Sequence, residues 1–114
     1  MSGAKFPRSA RLLKTEQYSN VFKKGRFIRR DGSVRVRYAM NRSATPRLGV
    51  IVPKKGNRLA VRRNRLKRIT RDCFRRHQIN LPAIDIIVHI TAAVDDLKLH
   101  RLLEQVFGEL KQNA

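Results

Sequence analysis

The sequence is short of acidic residues, of cysteine and of long apolar runs, and each shortage excludes a class of protein. Only 8 Asp and Glu stand against 27 Lys and Arg, which gives a formal net charge of +19. The one cysteine, Cys73, allows neither an internal disulfide nor a zinc site built on several cysteines. No apolar run reaches the roughly 18 residues of a membrane-spanning helix, so we expect no membrane partner and a cytoplasmic location.

The charge excess predicts a polyanionic partner. Self-repulsion on this scale disfavours the compact state, and nucleic acid is the first candidate to neutralise it. A protein nuclease is not favoured, because metal-dependent phosphoryl chemistry needs converging carboxylates and paired acid–base groups. The acids are scattered instead, and the three histidines show no ligand-like spacing; no metal site is predicted on the protein. The 114 residues, 41% of them hydrophobic, suit one domain over 1–114, with 1–11 as a basic, flexible arm.

Hydrophobic periodicity predicts the order α-β-β-(β)-α-β-α. Thr15 is expected to cap a first helix over about 16–24 that ends at Gly25. Alternation predicts a strand over 33–40, with its side chains divided between two faces: Val34, Val36, Tyr38 and Met40 on one, Arg35 and Arg37 on the other. The run at 47–53 predicts a strand that forms an antiparallel hairpin with it, and Phe27 and Ile28 suggest a short strand before them.

The second half of the chain predicts a basic helix, a buried strand over 84–90 and an amphipathic helix over about 96–111. One side of the basic helix is apolar: Leu59, Leu66, Ile69, Thr70, Cys73 and Phe74. The other side is polar, with Asp72 as its one acid: Asn64, Arg65, Lys67, Arg68, Arg71 and Arg75. Solvated helix faces normally interleave acids, so this face indicates a phosphate-binding surface, to which guanidinium forks are suited.

The run Arg63-Asn64-Arg65-Leu66-Lys67-Arg68, followed by Arg71, resembles the RNR signature of the bacterial ribonuclease P protein component. Three flanking segments resemble the family's corresponding segments in the same order: FPRSARLLKTEQYSNVF (6–22), RLGVIVPKK (47–55) and LPAIDIIVHI (81–90). The resemblance therefore covers about 6–110. It implies a small α+β protein, an α/β sandwich with about four strands and a left-handed βαβ crossover.

The resemblance also implies a function. The family's protein is the subunit of an endoribonuclease whose catalytic RNA removes the 5′ leader of precursor tRNA, and the protein alone is not catalytic. Its partners would be ribonuclease P RNA and precursor tRNA, with no DNA, and Mg²⁺ would be held mainly by the RNA. The helix would then contribute Arg63, Asn64, Arg65, Lys67, Arg68 and Arg71 to binding of the catalytic RNA, with Lys54 and Lys55 as additional basic contacts.

A leader-binding cleft is the second site that the resemblance implies. It would use Tyr18 and Phe22 of the first helix, together with Arg35 and Arg37 of the adjoining strand. Aromatic rings beside a basic groove suit sequence-tolerant binding of a single strand, because bases stack while phosphates pair. Composition alone leaves a ribosomal protein open as an alternative, whereas a helix-turn-helix DNA regulator is disfavoured, since strand-like residues precede the basic helix.

Overall fold

The computed structural model describes residues 10–12, 14–30 and 32–113, which form three α-helices and one four-stranded sheet. The elements are α1 (Thr15–Lys24), β1 (Arg26–Arg30), β2 (Val34–Met40), β3 (Arg47–Ile51), α2 (Ala60–His77), a short 3-10 helix (Gln78–Asn80), β4 (Ile84–Ile90) and α3 (Asp96–Asn113). Residues 1–9 of the predicted arm lie outside the described residues, while Arg11 forms a parallel bridge with Leu48. Among the described residues, no helix combines the length and apolar character that crossing a bilayer requires.

The sheet has the order β1-β2-β4-β3 and is mixed. β1 pairs antiparallel with β2, β2 antiparallel with β4, and β3 parallel with β4. The predicted β2–β3 hairpin is therefore wrong, since β4 lies between these strands and the hairpin is β1–β2. β4 takes the inner position because it offers apolar side chains to both faces, as buried strands do. α2 makes the crossover from β3 to β4, and its left-handedness stays a prediction.

The first helix begins one residue before its predicted start. Lys14, rather than Thr15, is the N-cap of α1, and its backbone N–H donates to Gln17 Oε1 at 3.0 Å. Gly25 ends this helix as predicted: its N–H donates to the Val21 carbonyl at 2.8 Å, and a Cβ there would collide with that oxygen. Leu59, predicted on the apolar side of α2, is instead its N-cap and is 70% exposed, because the chain is still extended at that point.

Two apolar clusters hold the helices to the two faces of the sheet. α2 and α3 cover one face, where Phe74 and Phe107 meet edge to face with ring centroids 6.0 Å apart. Val34 and Val36 are fully buried there, as predicted, whereas Met40 at the end of β2 is 64% exposed.

The opposite face carries a smaller cluster beneath α1: Leu12, Val21, Ala39 and Ile87, with Tyr18 and Ile51 packed against it. α1 covers only part of this face. Arg35 and Phe27 are exposed on the rest of it, and Arg37 is half-buried. The sheet register places Phe27 directly beside Arg37, and Arg35 directly beside His89. The uncovered part is therefore a basic surface with aromatic rings at one side.

Candidate nucleic-acid interface

The side of α2 that faces away from the core carries the basic residues, as the periodicity predicted. The opposite side is buried through Leu66, Ile69, Thr70, Cys73 and Phe74. The Thr70 hydroxyl donates to the Leu66 carbonyl at 2.9 Å, so this polar group is satisfied inside the core. The last turn of α2 carries basic residues, which the helix dipole stabilises at this end: Arg75, Arg76 and His77.

Three arginines at the start of α2 are engaged by the protein itself. Arg63 Nη1 donates to the carbonyls of Asn57 at 3.1 Å and Arg58 at 2.7 Å, and so fastens the loop before the helix. Arg62 and Arg65 both bind Asp96 at the start of α3. The sequence did not predict these contacts of Asp96, because nothing in the spacing shows that α3 begins beside the RNR run.

The remaining predicted residues of this surface are available to a partner. In the part of the chain that the structure describes, the side chains of Asn64, Lys67 and Arg68 have no hydrogen-bond or ion-pair partner. Asn64 and Arg68 are exposed, and Lys67 is half-buried. Lys54 and Lys55 are exposed in the turn between β3 and α2. Together with Arg65, these side chains form a basic surface at the first half of the helix.

Arg71 lies apart from that surface, toward α1. Burial lowers the pKa of Arg71, and the positive charge of Arg11 lowers it further, whereas Tyr18 opposes the shift. Burial likewise raises the pKa of the Tyr18 hydroxyl, while Arg71 lowers it. Arg11 pairs with Leu48 and Tyr18 packs against Gly49, so the three side chains share one environment beside β3.

The predicted cleft beside α1 contains an arginine between two aromatic rings. The Arg37 guanidinium carbon lies 4.7 Å from the centre of the Phe22 ring and 4.3 Å from the centre of the Phe27 ring. Arg37 Nη1 also donates to the Phe22 carbonyl at 3.3 Å. Phe22 is 38% and Phe27 37% exposed, so both rings offer surface to solvent. We call Phe22, Phe27 and Arg37 the aromatic clamp.

The other two predicted cleft residues are placed differently. Arg35 is exposed on the same face as the aromatic clamp and lies beside His89. Burial lowers the pKa of His89, and the charges of Arg35 and Arg37 lower it further. Tyr18 is half-buried and packs in the smaller apolar cluster, with its ring against Gly49. The sequence prediction missed Phe27 as a site residue, although pairing 26–30 with β2 would have placed it opposite Arg37.

One group of described residues has the donor types of a metal site. The Cys73 thiol, the His77 imidazole and a Glu104 carboxylate oxygen lie within 4.8 Å of one another. Glu104 accepts from Cys73 at 3.3 Å and is 2.8 Å from His77 Nε2. Burial raises the pKa of Cys73 to about 12, and the hydrogen bond to Glu104 adds to this rise. The thiol thus stays protonated at neutral pH, and these contacts join α2 to α3.

Known proteins resemble this chain in both fold and sequence. The Ribonuclease P family profile matches residues 6–113. The ribonuclease P protein component of Chromohalobacter salexigens is 40% identical over 100% of this chain and 91% of its own length. The structure of the Staphylococcus aureus RNase P protein superposes with a TM-score of 0.78 at 30% identity, covering 88% of this chain and 94% of that one. The Thermotoga maritima RNase P protein gives 0.70 at 28% identity, with 91% and 97% covered.

The mixed sheet, the basic α2 surface and these matches together define the protein subunit of a ribonucleoprotein. The chain belongs to the ribonuclease P protein family. It is therefore the subunit of an endoribonuclease that processes tRNA, whose catalysis resides in the RNA, and its partner is ribonuclease P RNA. These matches favour this function over that of a ribosomal protein.

Proposed function

We propose that the protein binds the catalytic RNA through α2 and the 5′ leader of precursor tRNA through the aromatic clamp. Leader binding at the aromatic clamp is supported by the Arg37 guanidinium, which lies within 5 Å of two partly exposed rings. Ring faces stack on bases of any sequence, and an adjacent cation pairs with phosphate. Because a leader has no fixed sequence, such a sequence-tolerant surface is what its recognition requires.

The α2 side of the proposal rests on charge and geometry. Asn64, Arg65, Lys67 and Arg68 face outward on one helix, and Lys54 and Lys55 extend the charge from the preceding turn. Arg63 adds charge while it holds the loop through its two carbonyl contacts. Arg71, near Tyr18 and Arg11, would extend the positive charge of α2 toward α1. Guanidinium groups bind phosphate oxygens bidentately, which favours an RNA backbone as the ligand.

Because catalysis resides in the RNA, we propose that the metal ion is bound there too. Mg²⁺ held mainly by RNA phosphates would activate a water as the nucleophile. The protein's +19 charge would lower the repulsion between catalytic RNA and precursor tRNA, and so lower the cation concentration that assembly needs. The cytoplasm, where precursor tRNA is processed in bacteria, is the proposed location.

A comparison of precursor and mature tRNA tests the leader site. Holoenzymes are reconstituted with wild-type protein, Arg37→Ala, Phe27→Ala or Arg101→Ala, and Kd is measured for both RNAs. Arg101 is an exposed residue of α3, so its variant loses the same charge elsewhere. The two clamp variants are expected to weaken precursor binding about tenfold and to leave mature tRNA unchanged, because one stacked base contributes about 1–3 kcal/mol. Equal losses for both RNAs, or an equal loss with Arg101→Ala, would contradict a leader contact at the clamp.

A further inference from the structure

Asp96 divides its carboxylate between two arginines of the basic helix. Its Oδ1 accepts from Arg62 Nη1 at 2.6 Å, and its Oδ2 accepts from Arg65 Nε at 2.5 Å. Arg62 Nη2 donates to the Val94 carbonyl at 2.6 Å. Arg62 is thus committed to the protein through both terminal nitrogens. It holds the segment before α3, and with it Asp96, against the first turns of α2.

Arg65 is bound in a different way. Its Nε contacts Asp96, while the side chain remains 60% exposed, compared with 31% for Arg62. The two terminal nitrogens of Arg65 are the fork that binds a phosphate, and the contact through Nε leaves that fork to a ligand. An unanchored arginine loses much of its rotamer freedom when it binds a ligand, whereas one already held by its Nε loses less.

We propose that Asp96 is a positioning residue for RNA binding, which together with Arg62 holds Arg65 so that its two Nη groups meet a phosphate of the catalytic RNA. This inference rests on the proposed function of α2. Hydrogen bonds from Arg65 and Arg62 lower the pKa of Asp96, so the anchor is an anion at neutral pH.

Whether Asp96→Asn raises or lowers the affinity for RNA distinguishes a positioning role from an effect of net charge. Removing an acid from a chain of net charge +19 strengthens its attraction to RNA if charge alone decides affinity. Removing an anchor instead weakens binding, because Arg65 then loses more rotamer freedom when it binds the RNA. Asp72 provides the matched control: it is an acid on α2 whose contact with Arg75, at 3.9 Å, is long.

The experiment measures Kd for ribonuclease P RNA over a series of salt concentrations with the full chain carrying Asp96→Asn, Asp72→Asn, Arg65→Ala, or Asp96→Asn with Arg65→Ala. Asp72→Asn is expected to bind as tightly as wild type or more tightly. Asp96→Asn is expected to bind about threefold to fivefold more weakly, the range that a partly exposed ion pair gives. In the Arg65→Ala background, Asp96→Asn is expected to cause no further loss.

The double variant distinguishes positioning from a structural role. If Asp96→Asn acts by loosening α3 from α2, its effect persists without Arg65, because the contact with Arg62 is lost in either background. That result would overturn the proposal, and so would tighter binding by Asp96→Asn alone. Thermal unfolding of each variant verifies that it is folded. Failure of the wild-type protein to bind the RNA would overturn the proposed function as well, whereas normal wild-type binding with a tighter Asp96→Asn variant would overturn this inference only.

Discussion

At the scale of single residues, Tyr18 packs closely against Gly49 beneath α1. A Cβ on Gly49 would lie 2.7 Å from the Tyr18 hydroxyl and 2.8 Å from Cζ. The Tyr18 ring is rigid and half-buried, so it has little freedom to move away. Glycine at this position is therefore a requirement of packing between α1 and the sheet, and it keeps Tyr18 in place beside Arg71.

Gly49→Ala is expected to lower the free energy of unfolding by about 1–3 kcal/mol, as overpacking of a filled site does. Gly108 lies inside α3, and a Cβ added there would meet no neighbouring side chain or strand within 4 Å. Gly108→Ala is therefore expected to raise the free energy of unfolding by about 0.5–1 kcal/mol through helix propensity. Urea unfolding of both variants measures the difference. Equal effects of the two substitutions would contradict the close approach of Tyr18 to β3.

His89 is sensitive to the charge of the cleft. Its pKa lies below the ordinary value of a histidine because of burial and of the nearby Arg35 and Arg37 charges. Leader phosphates would neutralise those charges, so the pKa of His89 is expected to rise on binding. A group whose pKa is higher in the complex takes up protons on binding, so affinity for the leader should increase as the pH falls through the region between the two pKa values.

NMR titration of the His89 imidazole, free and with a leader oligonucleotide, measures this shift directly. The ring signals of His100 on α3 serve as the internal control and should be unaffected by the oligonucleotide. An unchanged or lowered His89 pKa in the complex would place the leader phosphates away from Arg35 and Arg37.

At the scale of secondary-structure elements, Asp85 of β4 fastens the edge strand β3. Asp85 is 2% exposed and accepts from Arg47 Nε at 2.7 Å and Nη2 at 2.8 Å, and also from Asn41 Nδ2 at 2.8 Å. This buried network links the start of the parallel β3–β4 pair to the loop after β2. The carboxylate has a structural role that its position inside an apolar strand did not indicate.

Asp85→Asn is expected to lower the free energy of unfolding by about 3 kcal/mol, because it leaves the Arg47 charge partly buried without its counter-ion. Glu109→Gln is the matched control, since Glu109 pairs with Arg29 at the same 2.7 Å but with side chains 44% and 32% exposed. Its effect should stay below about 1 kcal/mol. Equivalent losses in urea unfolding would show that burial does not determine the strength of these pairs.

Local patterns predicted the elements well, and the long-range arrangement poorly. Periodicity identified β4 and the two long helices because each needs only local information about which side chains are apolar. The position of β4 between β2 and β3 depends on competition between strands, which no local pattern records. The same limit applies to the site, where the basic residues of α2 were predicted but two of their neighbours were not. Asp96 contacts Arg65 through helix packing, and Phe27 contacts Arg37 through strand pairing.

In the molecule as a whole, the two proposed binding surfaces lie on opposite faces of the sheet. α2 packs on one face of the sheet, the side chains of the aromatic clamp lie on the other face, and Arg71 of α2 lies near Tyr18 of α1. With 27 basic and 8 acidic residues the chain repels itself, and a bound polyanion would offset this repulsion. The proposed simultaneous contact with a catalytic RNA and its substrate would require such an arrangement.

The most direct test of this function is cleavage of precursor tRNA at low Mg²⁺ by the protein alone, by a bacterial ribonuclease P RNA alone, and by the two together. We expect that only the mixture cuts, at the mature 5′ end, because the RNA supplies the chemistry and the protein is proposed to supply charge and leader binding. Cleavage by the protein alone, or a mixture no more active than the RNA alone, would contradict that division of roles.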